Sequence, residues 1–199
     1  MKDFWNKRYQ QDHYVYGTGP NQFFKDFIDE HKPGNILLPA DGEGRNGVYA
    51  AEKGWNVDAF DFSESARAKA LELAKDRNVT LNYTIANFDN ADLKSDEYDV
   101  IALIYAHLPS QKRRDIHHKL IHSLKKDGFI VLEAFSKKQL SYNSGGPKSE
   151  EMLYDLEDIK EDFKDLAIIS IRQETTELDE GPYHKGEGNV IRLIAQKIK

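Results

Sequence analysis

Five short runs rich in Val, Ile, Leu and aromatic residues, each close to a turn residue, predict β-strands: Asn35 to Pro39, Asn56 to Phe60, Val79 to Ile85, Tyr98 to Tyr105 and Gly128 to Phe135. Between them the apolar spacing changes to that of helices. Ser63 is the expected N-cap of one helix, in which Ala66, Ala70, Leu73 and Ala74 fall on a single face. A second helix is expected from about Ser110 to Lys126, with Ile116, Leu120, Ile121 and Leu124 as its buried stripe and Asp127-Gly128 as its stop. Strand followed by helix, repeated, implies a parallel sheet covered on both faces.

After Phe135 the rhythm breaks. The polar run SKKQLSYNSGGPKSEE has no periodicity and carries a Gly145-Gly146-Pro147 turn, so it reads as a surface loop, with Tyr142 a candidate lid residue. Asp155 to Phe163 is expected to be helical. Ala167 to Thr176 and Asn189 to Ile198 are strand-like, and the gap between them is too short for a crossover helix, which predicts an antiparallel hairpin. Before Pro33, Phe23 and Phe27 form an i, i+4 pair suited to a helix docked on the sheet edge. The 199 residues suffice for one domain with a sizeable core and are too few for two ordinary ones.

Composition narrows the class. With 39% hydrophobic and 31% charged residues the chain reads as globular, and no apolar run approaches the ~20 residues that span a bilayer. The opening MKDFWNKRYQQDHYVYG has charges and aromatics where a secretory leader needs an apolar stretch, so it reads as part of the mature fold. The absence of cysteine excludes a disulfide framework and a thiol nucleophile, and a cytoplasmic protein is expected. A formal charge of -6 argues against a nucleic-acid partner, which would need a basic face.

The chemistry begins in LPADGEGRNGVYAAEKG, where Gly42, Gly44 and Gly47 have G-x-G-x-x-G spacing between a strand and a helix. Such a turn lets a ligand approach the backbone and presents helix N-terminal amides to it. Asp61 ends the next strand, where a carboxylate can accept hydrogen bonds from both hydroxyls of a ribose. NAD and S-adenosylmethionine both carry an adenosine ribose, so these two features fit either cofactor. The third strand leads into Ala86-Asn87-Phe88-Asp89, whose polar side chains and aromatic ring suit an adenine.

The segments LPADGEGRNGVYAAEKGWNVDAFDFS, IANFDNADL and ELDEGPYHKGEGNVIRLIAQK resemble the class I S-adenosylmethionine-dependent methyltransferases, especially the small bacterial tellurite-resistance and thiopurine-methyltransferase group. The resemblance spans nearly the whole chain, and FWNKRYQQDHYVYGTGPNQFF is similar to that group's N-terminal helix, which folds over the cofactor. It implies a Rossmann-like α/β fold: a mostly parallel seven-stranded sheet with helices on both faces, ending in an antiparallel hairpin. Residues 1–32 would form a helical cap and 33–199 the core of a single domain. The cofactor would be S-adenosyl-L-methionine. Pro39, Ala40, Asp41, Gly42 and Gly44 would lie against its methionine part, and Asp61 would take the ribose. Phe62, Asn87 and Phe88 would bound the adenine, and Tyr105 would close the pocket. Trp5, Arg8 and Tyr16 would cover it, Arg8 facing the methionine carboxylate and an aromatic face the sulfonium. The chain departs from the family at the end of the first strand, where Leu38 and Ala40 replace an acidic residue and a glycine. Asp41, Glu43 or a main-chain carbonyl must then receive the methionine amine.

The resemblance implies methyl transfer to a small molecule such as a thiol, a chalcogen oxyanion or another xenobiotic, by a monomer or homodimer. His107 and His184 are the candidate general bases, with a helix-entry hydrogen bond and an exposed turn as their bland alternatives. His117, His118 and His122, with Lys112, Arg113 and Arg114, read as a solvated helix face, and no metal site is expected. The segment Tyr105-Ala106-His107-Leu108-Pro109 lacks the N-P-P-aromatic motif of many enzymes that methylate nucleic-acid amines. An NAD(P)-binding oxidoreductase and a non-catalytic cofactor-binding module are the competing readings.

Overall fold

The computed structural model describes residues 2–198. Helices α1 (Lys2–Tyr9) and α2 (Gln22–Glu30) precede β1 (Asn35–Pro39), α3 (Arg45–Glu52), β2 (Asn56–Asp61), α4 (Glu64–Asp76) and β3 (Asn82–Ile85). Then come β4 (Tyr98–Ile104), α5 (Ser110–Ser123), β5 (Leu124–Phe135), α6 (Leu156–Asp162), β6 (Ala167–Asp179) and β7 (Lys185–Gln196). The strands form a seven-stranded sheet in the order β3-β2-β1-β4-β5-β7-β6. β1, β2 and β3 run parallel, as do β4 and β5, whereas β7 is antiparallel to both β5 and β6. The predicted α/β class and terminal hairpin are therefore present. No described helix is long and apolar enough to cross a membrane. Two compact units are distinguished, one comprising residues up to 92 together with 180–183, the other 93–179 and 184 onward.

In the first unit, Ile36, Leu37 and Leu38 of β1 and Val57, Ala59 and Phe60 of β2 are buried. Ser63 caps α4 by accepting the amide of Ala66 (3.2 Å), and the four residues expected on its inner face are those buried. The expected third strand begins three residues late, at Asn82, because Val79 and Leu81 pack against Val48, Leu73 and Ala74. α2 buries Phe23, Phe24, Phe27 and Ile28 and lies beside α3.

In the second unit α5 stops at Ser123, three residues before the expected Lys126, because Leu124 enters the ladder opposite Tyr98. Its buried face is also rotated. Arg113, Ile116, His117, Leu120 and Ser123 point inward, while Ile121 is only half-buried. The cause is Asp162 on α6, which accepts from Arg113 Nε (2.6 Å) and meets His117 Nδ1 (2.9 Å). Arg113 and His117 thus do not belong to the solvated face expected of them; His118 is half-buried and His122 exposed. Among the described residues no group of three or more His, Cys, Asp or Glu could hold a metal ion. The hairpin strands run longer than expected and leave only residues 180–184 at the tip. The polar run after Phe135 contains two short 3-10 turns, and its Gln139 is buried, receiving the Asn189 amide (2.7 Å).

Candidate functional site

Beyond β1 the backbone turns through Ala40 (φ +54°) and Gly42 to Gly44, the N-cap of α3 with φ +82°. A side chain at Gly44 would be strained by this left-handed backbone and would bring its Cβ within 2.5 Å of Ala70 Cβ on α4. The second glycine of the motif is therefore demanded by packing. Over Gly42 lies the Tyr9 hydroxyl, and the Gly42 carbonyl accepts from the Tyr83 hydroxyl (2.6 Å). Neither tyrosine was singled out from the sequence, although Trp5 and Tyr9 have helical i, i+4 spacing and stack at 5.5 Å. Burial, reinforced by Asp61, Tyr16 and Glu43, holds the Tyr9 phenol well above its ordinary pKa, so it remains a neutral hydroxyl.

The two acidic residues of the turn are both held by the protein. Glu43 accepts the amide of Val15 (2.7 Å) and pairs with Lys69 (2.9 Å), which ties residue 15 to the loop. Asp41 Oδ2 accepts the amide of Gly47 (3.1 Å), and Oδ1 is buried without a partner. The missing side chain of Gly47 makes room for it, since a Cβ there would lie 2.6 Å from Oδ2. Burial pushes the Asp41 carboxyl up to about 8; the Gly47 amide and Arg45 oppose the shift, and Asp61 adds to it. An acid raised in this way supports folding fully below its unfolded pKa near 4, and that support is lost as pH climbs through about 8. Asp41→Asn keeps an acceptor for Gly47 and cannot ionise. Its melting temperature is expected to exceed that of the parent by a margin that widens from pH 5 to pH 8 and then levels off, as thermal denaturation at each pH would read.

Asp61, the last residue of β2, is buried and accepts the amide of Ser63 at 2.9 Å. Burial lifts its carboxyl to about 6 against the pull of the Ser63, Gly42 and Phe62 amides. No Lys, Arg or His among the described residues pairs with it, so the anion is held by main-chain donors alone. Phe62 beside it is half-buried. At the end of β3, Asn87 Oδ1 closes a turn by accepting the amides of Asp89 (2.8 Å) and Asn90 (3.2 Å). Phe88 sits edge-on to Phe60 at 5.5 Å.

Trp5, Arg8 and Tyr16 come together with Tyr9 and Tyr183. The Arg8 guanidinium lies 4.6 Å from the Phe4 ring, 5.4 Å from Trp5 and 4.5 Å from Tyr183, and donates weakly to the Tyr16 hydroxyl (3.4 Å). No carboxylate among the described residues neutralises it. Residues 180–183 latch this N-terminal segment. Glu180 receives Arg45 (3.0 Å) and Asn21 (2.8 Å), and Tyr183 receives Gln11 (3.3 Å). Gly181, at φ +80°, touches the backbone: a Cβ would lie 2.8 Å from both Gly17 N and Val15 O. Sequence reasoning missed this latch, whose partners lie more than a hundred residues apart.

Tyr105, His107 and His184 belong to the second unit. The Tyr105 ring stacks on Phe135 (4.7 Å) and meets His184 edge-on (4.6 Å). His184 is buried, unlike the exposed turn residue its alternative reading supposed. His107 has both ring nitrogens engaged, Nδ1 with the Met152 carbonyl (2.8 Å) and Nε2 accepting the Phe135 amide (3.3 Å). Burial brings its pKa down to about 4, so the ring is neutral and, in this geometry, has no nitrogen open to a substrate proton. Tyr142 bonds Thr175 of β6 at 3.2 Å.

Residues 36–128 match the family model described as a methyltransferase domain. Among solved structures the chain is similar to TehB from Haemophilus influenzae, with 18% identity and a TM-score of 0.74 over 98% of this chain and 66% of that one. It is also similar to the N-methyltransferase NodS from Bradyrhizobium japonicum WM9 in complex with S-adenosyl-l-homocysteine, with 11% identity and a TM-score of 0.74 over 100% and 98% of the two chains. For magnesium protoporphyrin IX methyltransferase (ChlM) from Synechocystis PCC 6803 with bound SAH, the values are 17% and 0.72 over 98% and 97%. No curated protein sequence matches. At these identities the likeness is one of fold.

Proposed function

We propose that this chain, a class I methyltransferase by fold and by the domain matched over residues 36–128, uses S-adenosyl-L-methionine to methylate a small-molecule acceptor. The observation that carries the cofactor is Asp61: a buried carboxylate without a cationic partner among the described residues, at the end of β2 beside the glycine turn. Such a group gains from two added hydroxyl donors, and a ribose supplies them in the required pair. The open guanidinium of Arg8 suits the methionine carboxylate, and the faces of Trp5 and Tyr16 beside it suit a fixed cation. Phe62, Asn87 and Phe88 bound the adenine. Since Asp41 and Glu43 are both held inward, main-chain carbonyls of residues 39–42 receive the methionine amine in place of a carboxylate at Leu38.

When bound, the cofactor supplies an electrophilic methyl group on a sulfonium. The protein's part is to hold that group still, keep water from it and bring the nucleophile in line, which is where much of the rate of such a displacement arises. Thermal shift and calorimetry with S-adenosylmethionine, S-adenosylhomocysteine, NAD(H) and NADP(H) test the reading. Stabilisation by the adenosyl pair alone is expected. Stabilisation by a nicotinamide alone would overturn it in favour of an oxidoreductase.

A further inference from the structure

β6 ends the order β3-β2-β1-β4-β5-β7-β6, and β7 is the only strand it pairs with among the described residues. Its 13 residues, AIISIRQETTELD, make a long edge. An edge strand offers its outer row of main-chain donors and acceptors to another chain, and proteins that keep an edge single shorten it, bulge it or place lysine or proline on it. β6 is not short and has neither residue. Its bulge lies near its start, between Ile168 and Ser170, and leaves the ladder regular from Ser170 to Asp179. Ile169, inside the bulge, is 57% exposed.

The charges on the strand select its partner. Within the second unit a row of polar side chains crosses the sheet toward this edge. The Tyr105 hydroxyl donates to the buried Glu133 of β5 (2.6 Å), Glu133 pairs with Arg192 of β7, and Arg192 reaches Glu174 of β6 (2.5 Å). Glu174 also pairs with Arg172 (3.1 Å), and these last two side chains are 33% and 47% exposed. Two positions apart on a strand, they share one face. Laid parallel on a second copy of itself, β6 would oppose Arg172 to Arg172 and Glu174 to Glu174, which is destabilising. Laid antiparallel about Gln173, it opposes each Arg172 to the Glu174 of the other copy. Ser170 then faces Thr176, Ile171 faces Thr175, and no like charges meet. Shifting the axis by one residue sets either Arg172 or Glu174 against itself. Gln173 is also the midpoint of Ala167–Asp179, so the register with matched charges is the one with the greatest overlap.

We propose that β6 is the contact of a homodimer, in which a second copy of this chain joins edge to edge and antiparallel about Gln173. The contact is self-complementary about a two-fold axis and therefore closes at two chains. It does not depend on the methyltransferase reading.

Sedimentation velocity at tens of micromolar tests it, with circular dichroism to verify the fold of each variant. Wild type is expected at twice the 22.9 kDa of one chain. Arg172→Glu opposes acids across the axis and Glu174→Arg opposes bases, so each alone should sediment as a single chain. Mixed in equal amounts, the two variants should recover the doubled mass, because acids then face bases. The chain has no cysteine, so Gln173→Cys carries one thiol, placed at the axis. Mild oxidation should link it to its counterpart, whereas Glu177→Cys, four positions off the axis in each copy, should stay unlinked. A wild type that sediments as one chain, or as more than two, overturns the proposal. An Arg172→Glu variant that keeps the wild-type mass does so as well, as does a mixture of folded variants that fails to pair. Equal linking at the two cysteine positions, none included, overturns the register. If Glu174→Arg does not fold, because Glu174 also serves Arg192, the mass of Arg172→Glu and the cysteine comparison decide.

Discussion

Replacing Asp61 with alanine is expected to weaken S-adenosylmethionine binding about a hundredfold or more. Two hydrogen bonds from ribose hydroxyls to an ionised carboxylate are worth roughly 1.5 to 3 kcal/mol each, and a tenfold loss corresponds to about 1.4 kcal/mol. The free protein should respond in the opposite sense. Burial raises the Asp61 carboxyl to about 6, so its contribution to folding is complete below the unfolded pKa near 4 and is lost as pH rises through about 6. The shift corresponds to a cost of about 3 kcal/mol for keeping the anion buried at neutral pH. Asp61→Asn should therefore melt above the parent at pH 7.5 without ligand, yet gain little when the cofactor is added. Wild-type affinity should itself fall as pH drops from 7 to 5, because the protonated carboxyl is a poorer acceptor. Isothermal titration across that range, alongside melting curves of the two chains, would read both effects. An alanine variant that binds like wild type would remove Asp61 from the site.

The second large effect concerns stability. Asp162 accepts Arg113 Nε at 2.6 Å and meets His117 Nδ1 at 2.9 Å, and all three side chains are buried. Asp162→Ala would leave a guanidinium in the protein interior without its main counter-ion, with only the longer contact to Asp158 at 3.4 Å. Breaking a buried pair in this way costs about 3–5 kcal/mol. For a chain of this length the melting temperature should fall by roughly 6–20 °C. Burial acts to raise the Asp162 pKa, but the His117 and Arg113 contacts outweigh it and hold the carboxyl below its ordinary value. A depressed acid stabilises fully above its unfolded pKa near 4 and loses that support as pH falls through the folded value. The gap between Asp162→Ala and wild type should accordingly stay constant from pH 8 to 5 and close only below about 4. Differential scanning calorimetry at several pH values would measure it. A deficit of under about 1 kcal/mol would mean that solvent reaches Arg113.

The pairs just described were not equally legible in the sequence. The place of Asp61 at the end of β2 was legible because strand, turn and capping residue lie in one short stretch, and Ser63 marks the start of α4. The alternation of strands with helices and the terminal hairpin followed from the same local signals, whereas the strand order did not. Asp162 and its partners could not be found in that way. Polar residues at 113 and 117 carry the appearance of a wet helix face, and only a carboxylate brought from α6, some 45 residues onward, turns them inward. Glu133 was hidden for a related reason, since an acid within an apolar strand gives no hint of the phenol and the guanidinium that meet it in the folded sheet. Tyr9 is a different case. Its helical spacing from Trp5 was visible, but what it covers depends on how α1 lies over the glycine turn.

The latch made by residues 180–183 also bears on synthesis. Chain growth proceeds from the N-terminus, and the earlier parts of a protein generally begin folding first. Here residues 15–17 await Gly181, and Arg45 awaits Glu180, so a nascent chain arrested before residue 180 exposes its N-terminal aromatics and lacks their fastening. Competence to retain a nucleoside ligand would then arise only once residues 180–183 have been made.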